Sequence, residues 1–284
     1  MFKRLGSLRL SVKIIATVVT VLVAVLALNY TIFLNRYRSD TLNRYVERAS
    51  AFVVVADEAK NHASELMLNG SIDMNTLLKE AAEGAAKGRP YTESRFFETI
   101  PVVVGWTAAE NAAERENIEF HIRAFDARNP KNTPAPGSFE ESLLRDLTTQ
   151  VKGGGSDSLA RTNPQTNALH YVRAIKLDQS CMMCHGAPGG EFDPDKDGKD
   201  PLGFAMEGWK VGDMHGAFEV VVPLHTLDAK VAGFLTAGLA TSAPIVAVSC
   251  FGFVLILRRM LGMSIAAIIL TADKVAAREL TARL

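Results

Sequence analysis

The stretch from Ile14 to Asn35, IIATVVTVLVAVLALNYTIFLN, holds 22 residues without a charged side chain. A second, from Val231 to Leu257, VAGFLTAGLATSAPIVAVSCFGFVLIL, holds 27. A helix rises about 1.5 Å per residue and the hydrocarbon core of a bilayer is about 30 Å thick, so each stretch is long enough to cross a membrane. These two stretches decide the architecture, because residues 36–230 between them then form one domain held between transmembrane helices 14–35 and 231–257. A cleaved signal peptide has an apolar core of roughly 7–15 residues and a small-x-small cleavage site. The first stretch is longer and runs into Leu34-Asn35-Arg36, so it reads as an uncleaved anchor.

The 284 residues carry 31 Lys+Arg and 31 Asp+Glu, and the mean hydropathy is +0.10. Zero net charge gives no whole-chain case for nucleic-acid binding. The charges are unevenly spread. Residues 1–13 form a basic tail with Lys3, Arg4, Arg9 and Lys13 and no acid, and residues 258–284 open on Arg258-Arg259. The two tails together hold nine basic and two acidic side chains, net +7, whereas residues 36–230 hold 22 basic and 29 acidic ones, net −7. Lys and Arg near the end of a span resist translocation. Both tails are therefore expected in the cytoplasm, with residues 36–230 in the periplasm of a bacterial inner membrane.

Within that middle segment, Leu42, Tyr45, Ala49, Phe52, Ala56, Ala59, Ala63 and Leu66 recur at alternating spacings of three and four. Such a heptad predicts a long helix continuing the first span, its seam facing either a second protomer or its own domain. Asn69-Gly70 stops it, and Asp73 caps a second helix through Leu77, Leu78, Ala81, Ala82 and Ala85. A third helical pattern runs from about Phe96 to Glu116. The period then changes, and Ile118 to Phe125 alternates like a strand. The prolines at 130, 134 and 136 make residues 128–137 a loop. A short helix, Phe139 to Val151, follows Ser138 as its cap. Further strands are expected at Ser158–Arg161, His170–Leu177 and Gly216–Leu224. Helices followed by an antiparallel sheet make an α+β pattern.

Cys181-Met182-Met183-Cys184-His185 is C-x-x-C-H, the attachment signature of c-type haem. Two thiols add to the porphyrin vinyl groups, and the adjacent histidine is placed to ligate the iron from one face. A zinc site needs two more good ligands, yet the one other cysteine, Cys250, lies in the second apolar stretch. A thioredoxin-like dithiol belongs at a helix start after an early strand, and a plain disulfide leaves His185 unexplained. One motif means one haem. The sixth iron position decides between electron transfer and binding of a small ligand; His62, His121, His170, His215, Met67, Met206 and Met214 are the candidates.

Asp193, Asp195, Asp197 and Gly198 have the D-x-D-x-D-G spacing of a calcium loop, in which alternate carboxylates converge on a hard cation. Position 12 is Phe204 rather than Glu, so a solvated acidic turn competes with a calcium site. No G-x-S-x-G, phosphate-cradling glycine loop or H-E-x-x-H occurs, and the chain is not expected to be an enzyme.

Several separated segments now come together in order: Leu66-Met67-Leu68-Asn69-Gly70; Pro101 to Asn117 with Gly105-Trp106 and Ala113-Glu114; Phe125 through Arg128-Asn129-Pro130-Lys131-Asn132; the haem motif; and Trp209-Lys210-Val211-Gly212-Asp213-Met214-His215-Gly216-Ala217-Phe218-Glu219-Val220. Over roughly residues 36–228 they resemble the Tll0287-like domain family, also known as DUF3365, which supplies haem-c-containing, PAS-like periplasmic sensor domains to chemoreceptors and sensor kinases. The resemblance implies a PAS-like fold with long N-terminal helices and an antiparallel sheet, a covalent haem and a homodimer. It implies His185 as the proximal ligand and a distal ligand delivered by the N-terminal helices, Met67 first and His62 second. No cysteine is available there for a thiolate ligand.

Residues 258–284, with Ile265, Ile268, Ala272, Val275 and Glu279-Leu280, resemble the first helix of a HAMP relay, without its early proline. The sequence stops before a second HAMP helix or an output module, which is then expected on another chain, lost, or never present. The leading expectation is a monohaem sensor that detects redox state or a small haem ligand in the periplasm and signals to a cytoplasmic partner, as in chemotaxis. The rival is a membrane-bound c-type cytochrome that passes electrons to a periplasmic redox partner or serves a membrane complex. A calcium- or solute-binding module with haem as a structural staple is the third.

Overall fold

The computed structural model describes residues 10–193 and 195–281; Lys3, Arg4 and Arg9 of the basic tail lie outside them. The described chain is α+β, and it divides into two compact units, Asp40–Thr226 and the combination of Met1–Ser39 with Leu227–Leu284. The expected domain ends at 36 and 230 fall four residues outside the first of these.

Two long helices supply the terminal unit: α1 (Leu10–Leu68) and α7 (His225–Thr281). Both are long and apolar enough to cross a membrane. Val21, Leu28, Val248 and Phe251 are exposed, which in water would be costly and in lipid is not. Where the helices meet, Phe234 stands edge-on to Phe33 and Tyr37, with centroids 6.1 and 4.9 Å apart, and Arg38 pairs with Asp228 at 3.4 Å. Pro244 sits inside α7 without ending it. Of the HAMP-like tail, residues 258–281 continue α7, and the side chains of Ile265 and Ile268 lie outside what the structure describes.

The second unit is built on an antiparallel sheet of β1 (Glu119–Arg123), β2 (Ser158–Asn163), β3 (Ala168–Lys176) and β4 (Met214–Pro223), in the order β1-β4-β3-β2. The register pairs Val172 with Glu219 and both Ala174 and Arg123 with Ala217, so these side chains share a face. That face is covered by α5 (Phe139–Lys152), whose Leu143, Leu144 and Leu147 bury against Val172, Ala174 and Ala217. Ser138 Oγ caps α5 by accepting from the Glu141 N–H at 3.1 Å. One charged group is buried on the same face. Glu219, without solvent exposure, accepts from Arg123 Nε at 2.6 Å and lies 2.8 Å from His170 Nδ1. Burial acts to raise its pKa; the His170 hydrogen bond and the Arg123 charge outweigh that and hold it low.

The opposite face meets α1, where Tyr171 Oη donates to Ser50 Oγ at 3.1 Å. Beside it α4 (Pro101–Glu114) crosses α1 so closely that a Cβ at Gly105 would overlap the Ala56 carbonyl oxygen. A smaller core joins α2 (Met74–Ala86) to α3 (Arg95–Thr99) through Leu77, Ala81 and Phe96. Asp73 caps α2 by accepting from the Thr76 N–H at 3.1 Å.

Three expectations change. The single helix from Phe96 to Glu116 is two, α3 and α4, broken at Ile100, which is extended at φ −60°, ψ 123°. Pro101 excludes the α conformation at the residue before it. The loop 128–137 contains one 3₁₀ turn, Pro130–Asn132, capped by the Asn129 side chain. The heptad stripe also lies differently. The residues of α1 buried in this unit are Ala49, Val53, Ala56, Lys60, Ala63, Ser64 and Met67, a stripe rotated toward Lys60 and Ser64 and packed on the chain's own domain. Gly70, at φ +76°, follows the end of α1.

Candidate functional site

The C-x-x-C-H segment hangs from the end of β3. Leu177 N donates to Asp213 O at 2.9 Å and Gly212 N to Leu177 O at 2.8 Å, which ties the segment to the strand that returns as β4. Asp178 then organises the turn. Its Oδ1 accepts from Ser180 N at 2.9 Å, Ser180 Oγ at 2.6 Å and Cys181 Sγ at 3.4 Å. A 3₁₀ turn, Gln179–Cys181, leads into the one-turn helix α6 (Met182–His185), which Gly186 closes by donating to Met182 O at 2.9 Å. Cys181 and Cys184, three residues apart on a helical turn, come to one side, and His185 follows directly.

A second segment runs against this turn. Trp209 N donates to His185 O at 2.8 Å and Gly208 N to Gly186 O at 3.0 Å. This pairing sets Glu207 beside His185, with Oε2 2.8 Å from Nδ1. Arg128 completes the frame: Nη2 donates to the Cys184 carbonyl at 2.9 Å and reaches Glu207 Oε1 at 3.4 Å, Nη1 pairs with Asp200, and the guanidinium lies 5.0 Å from the Phe204 ring centroid. Asp200, buried, accepts from Leu202 N and Phe204 N at 2.9 Å each. The His215 ring packs 4.7 Å from His185 and 5.1 Å from Trp209. Among the described residues, His215 Nε2 and Trp209 Nε1 are buried without a hydrogen-bond partner.

From the far side α1 reaches the same turn. Ser64 Oγ donates to Ser180 Oγ at 2.9 Å, and the buried Lys60 ammonium lies 3.4 Å from Asp178. Met67, also buried, is one turn beyond Ser64 on that face of α1. His62 is exposed, on the side of the helix turned away from Ser64.

The electrostatics distinguish the cysteines from a reactive dithiol. Burial pushes the Cys181 thiol up to about 11 and the Cys184 thiol, beside the Asp200 carboxylate, up to about 12. Both are free and protonated at neutral pH, whereas a redox-active C-x-x-C needs a depressed pKa. Burial works against charge at Asp178 and at Glu207. Hydrogen bonds from Ser180 and the charge of Lys60 nevertheless hold Asp178 below the carboxylate range, and His185 and Arg128 do the same for Glu207. Burial, reinforced by His185, lowers the pKa of His215. Burial disfavours the Arg128 cation too, and Asp200 and Glu207 reverse the sign so that it is held above its ordinary value.

The structure thus brings Cys181, Cys184 and His185 together with the face of α1 that carries Met67. Of the other iron-ligand candidates, His121 sits 3.2 Å from Glu119, His170 is in the buried pair with Glu219, and Met206 is buried with its N–H donating to Gly198 O. Asp193, Asp195 and Asp197 converge, with one oxygen of each within 4.8 Å of the others. Asp193 is buried and accepts from Gly189 N at 2.7 Å and Gly198 N at 2.9 Å, while Asp195 and Asp197 are exposed. Phe204, at position 12, packs on Tyr91 and Arg128 and offers no side-chain oxygen. Asp178, Glu207, Arg128, Asp200, Lys60 and Ser64 were not anticipated as site residues. Arg128 falls within the segment Phe125 to Asn132 that carries the family resemblance; for Lys60 and Ser64, polar residues beside the apolar heptad, no sequence signal pointed to Asp178 or Ser180.

A family model, Tll0287-like, matches residues 38–223. Among solved structures, the crystal structure of the cyanobacterial heme-protein Tll0287 matches with 20% identity, covering 55% of this chain and 94% of that one, at a TM-score of 0.32. Comparison with curated proteins gives no match.

Proposed function

Since the chain belongs to the Tll0287-like family, we propose that it is a membrane-anchored monohaem sensor, with haem c bound through Cys181 and Cys184 and ligated by His185. The observation that carries this reading is the pairing of His185, at the end of the C-x-x-C-H turn, with Glu207 on the segment that runs against it. A histidine that ligates a metal donates its second ring N–H to a carboxylate or carbonyl partner. Here Nδ1 faces Glu207 at 2.8 Å, which leaves Nε2 as the ligating nitrogen. The donor set fits the group in two further respects. The thiols are free, protonated and held on one helical turn, and the buried Trp209 indole N–H beside this turn has no hydrogen-bond partner among the described residues and suits an anionic substituent such as a propionate.

Haem bound there would supply one-electron chemistry and, where the sixth position is weak or open, a site for a small diatomic ligand. The protein's own residues do the rest. Asp178 holds the turn that presents Cys181, and Arg128 holds the Cys184 carbonyl and the Glu207 carboxylate. Ser64 and Lys60 connect that turn to α1, the helix that also contributes the apolar stretch 14–35. A change at the turn that favours one arrangement of residues 60–67 over another has a covalent route into that helix. Met67 is the distal candidate on this face. In this reading the chain crosses an inner membrane twice, with residues 36–230 in the periplasm, and the two long apolar helices support it.

The test is an absorption spectrum of the full chain, matured with haem and purified in detergent, when oxidised, when reduced, and when reduced in the presence of CO or NO. Bands that move with either gas support a ligand-responsive sensor. Sharp low-spin bands that ignore both gases overturn gas sensing and shift the reading to pure redox sensing or to the membrane-bound electron-transfer cytochrome.

A further inference from the structure

We propose that Glu207, held by Arg128, is a positioning residue that fixes the His185 imidazole by Nδ1 and, through its charge, lowers the reduction potential of an iron bound at Nε2. The inference rests on the reading of Cys181, Cys184 and His185 as the haem site. His185 is the last residue of the four-residue helix α6, and the hydrogen bond to its ring comes from outside that helix, from Glu207. The ring is oriented from the neighbouring segment instead. The backbone bonds from Trp209 to His185 and from Gly208 to Gly186 set the register that puts Glu207 opposite Nδ1.

The carboxylate is itself held. Its second oxygen lies 3.4 Å from Arg128 Nη2, and the same nitrogen donates to the Cys184 carbonyl at 2.9 Å. Arg128 is anchored in turn by the buried Asp200. One guanidinium therefore ties the C-x-x-C-H backbone to the partner of its histidine. The chemical consequence has a definite sign. A carboxylate on Nδ1 makes the imidazole a more basic ligand than a neutral acceptor does. A more basic ligand with a negative charge behind it favours the ferric over the ferrous state, which carries one positive charge fewer. Arg128 offsets part of this, but it sits on the far oxygen at 3.4 Å, whereas His185 is 2.8 Å from the near one.

The experiment compares the midpoint potential of the haem-loaded full chain with those of Glu207→Gln and Glu207→Asp. Gln keeps an oxygen that can accept from Nδ1 and removes only the charge. The expected result is a potential higher in Glu207→Gln by at least a tenfold change in the oxidised-to-reduced ratio, 59 mV for a one-electron couple, with the haem still covalently bound. Glu207→Asp, which keeps the charge on a shorter stem, should rise by less. An unchanged potential in haem-loaded Glu207→Gln would mean the carboxylate only packs, and overturns the proposal. Should that variant fail to mature, Glu207→Ala, which removes both the charge and the acceptor, decides: a higher potential supports the proposal and a wild-type potential overturns it. A wild-type chain without covalent haem overturns instead the reading on which the proposal rests.

Discussion

Lys60 has 4% of its surface exposed, and an amine buried that far needs polar partners. Its partners are Asp57 at 3.7 Å, Asn61 at 2.8 Å and Asp178 at 3.4 Å. Asp178 serves the haem-motif turn with the same carboxylate. Replacing it by Ala removes three hydrogen bonds at the turn and strips the buried ammonium of one anion. The cost should be about 2–3 kcal/mol, read from urea unfolding of the chain in detergent. Asp178→Asn, which keeps an acceptor oxygen, should cost roughly half as much. This is also the scale at which the sequence was least informative. The C-x-x-C-H spacing of Cys181, Cys184 and His185 was legible because it is local. Lys60 and Ser64 were not, because the residues through which they meet the turn, Asp178 and Ser180, lie 118 and 116 residues away and no local pattern records a contact of that range.

Among the elements, the crossing of α4 over α1 depends on one missing side chain. A Cβ at Gly105 would overlap the backbone oxygen of Ala56 and press on Lys60 Cβ at 3.1 Å, and a backbone oxygen cannot move aside as the end of a side chain can. Gly105→Ala should therefore destabilise the domain by about 1–3 kcal/mol. Thermal unfolding would show this as a lower Tm; a melting curve equal to wild type would mean that the helices can separate without loss. The strands and capped helices were legible at this scale because alternation, Asp73 and Ser138 are local signals. The break at Ile100 was missed because the apolar pattern continues across it, although Pro101 carried the information. The heptad was read from apolar residues alone, which made Phe52, Ala59 and Leu66 its members. The stripe that packs against the domain instead includes two polar residues whose pairing is tertiary.

For the whole molecule, the two apolar stretches of 22 and 27 uncharged residues were plain from composition, and both lie in helices long and apolar enough to cross a membrane. The stability of the sheet-bearing unit should depend on acid through Glu219. Its folded pKa lies below the ordinary value of 4.5, so its contribution is fully present above about pH 4.5 and is lost as the pH falls through the folded value. Comparing Tm across pH 7 to 3 with that of Glu219→Gln should show a constant gap at the upper end that closes at the lower. A gap that widens in acid would reverse the assigned sign. The central claim is that this family member carries one haem attached through Cys181 and Cys184. The most direct measurement is the intact mass and haem absorption of the full chain after denaturation, purified from cells able to attach c-type haem. The account predicts a mass increased by one haem that survives denaturation, and its loss in the Cys181→Ser/Cys184→Ser double variant. An unmodified wild-type mass, or a haem removed by denaturation alone, would contradict it.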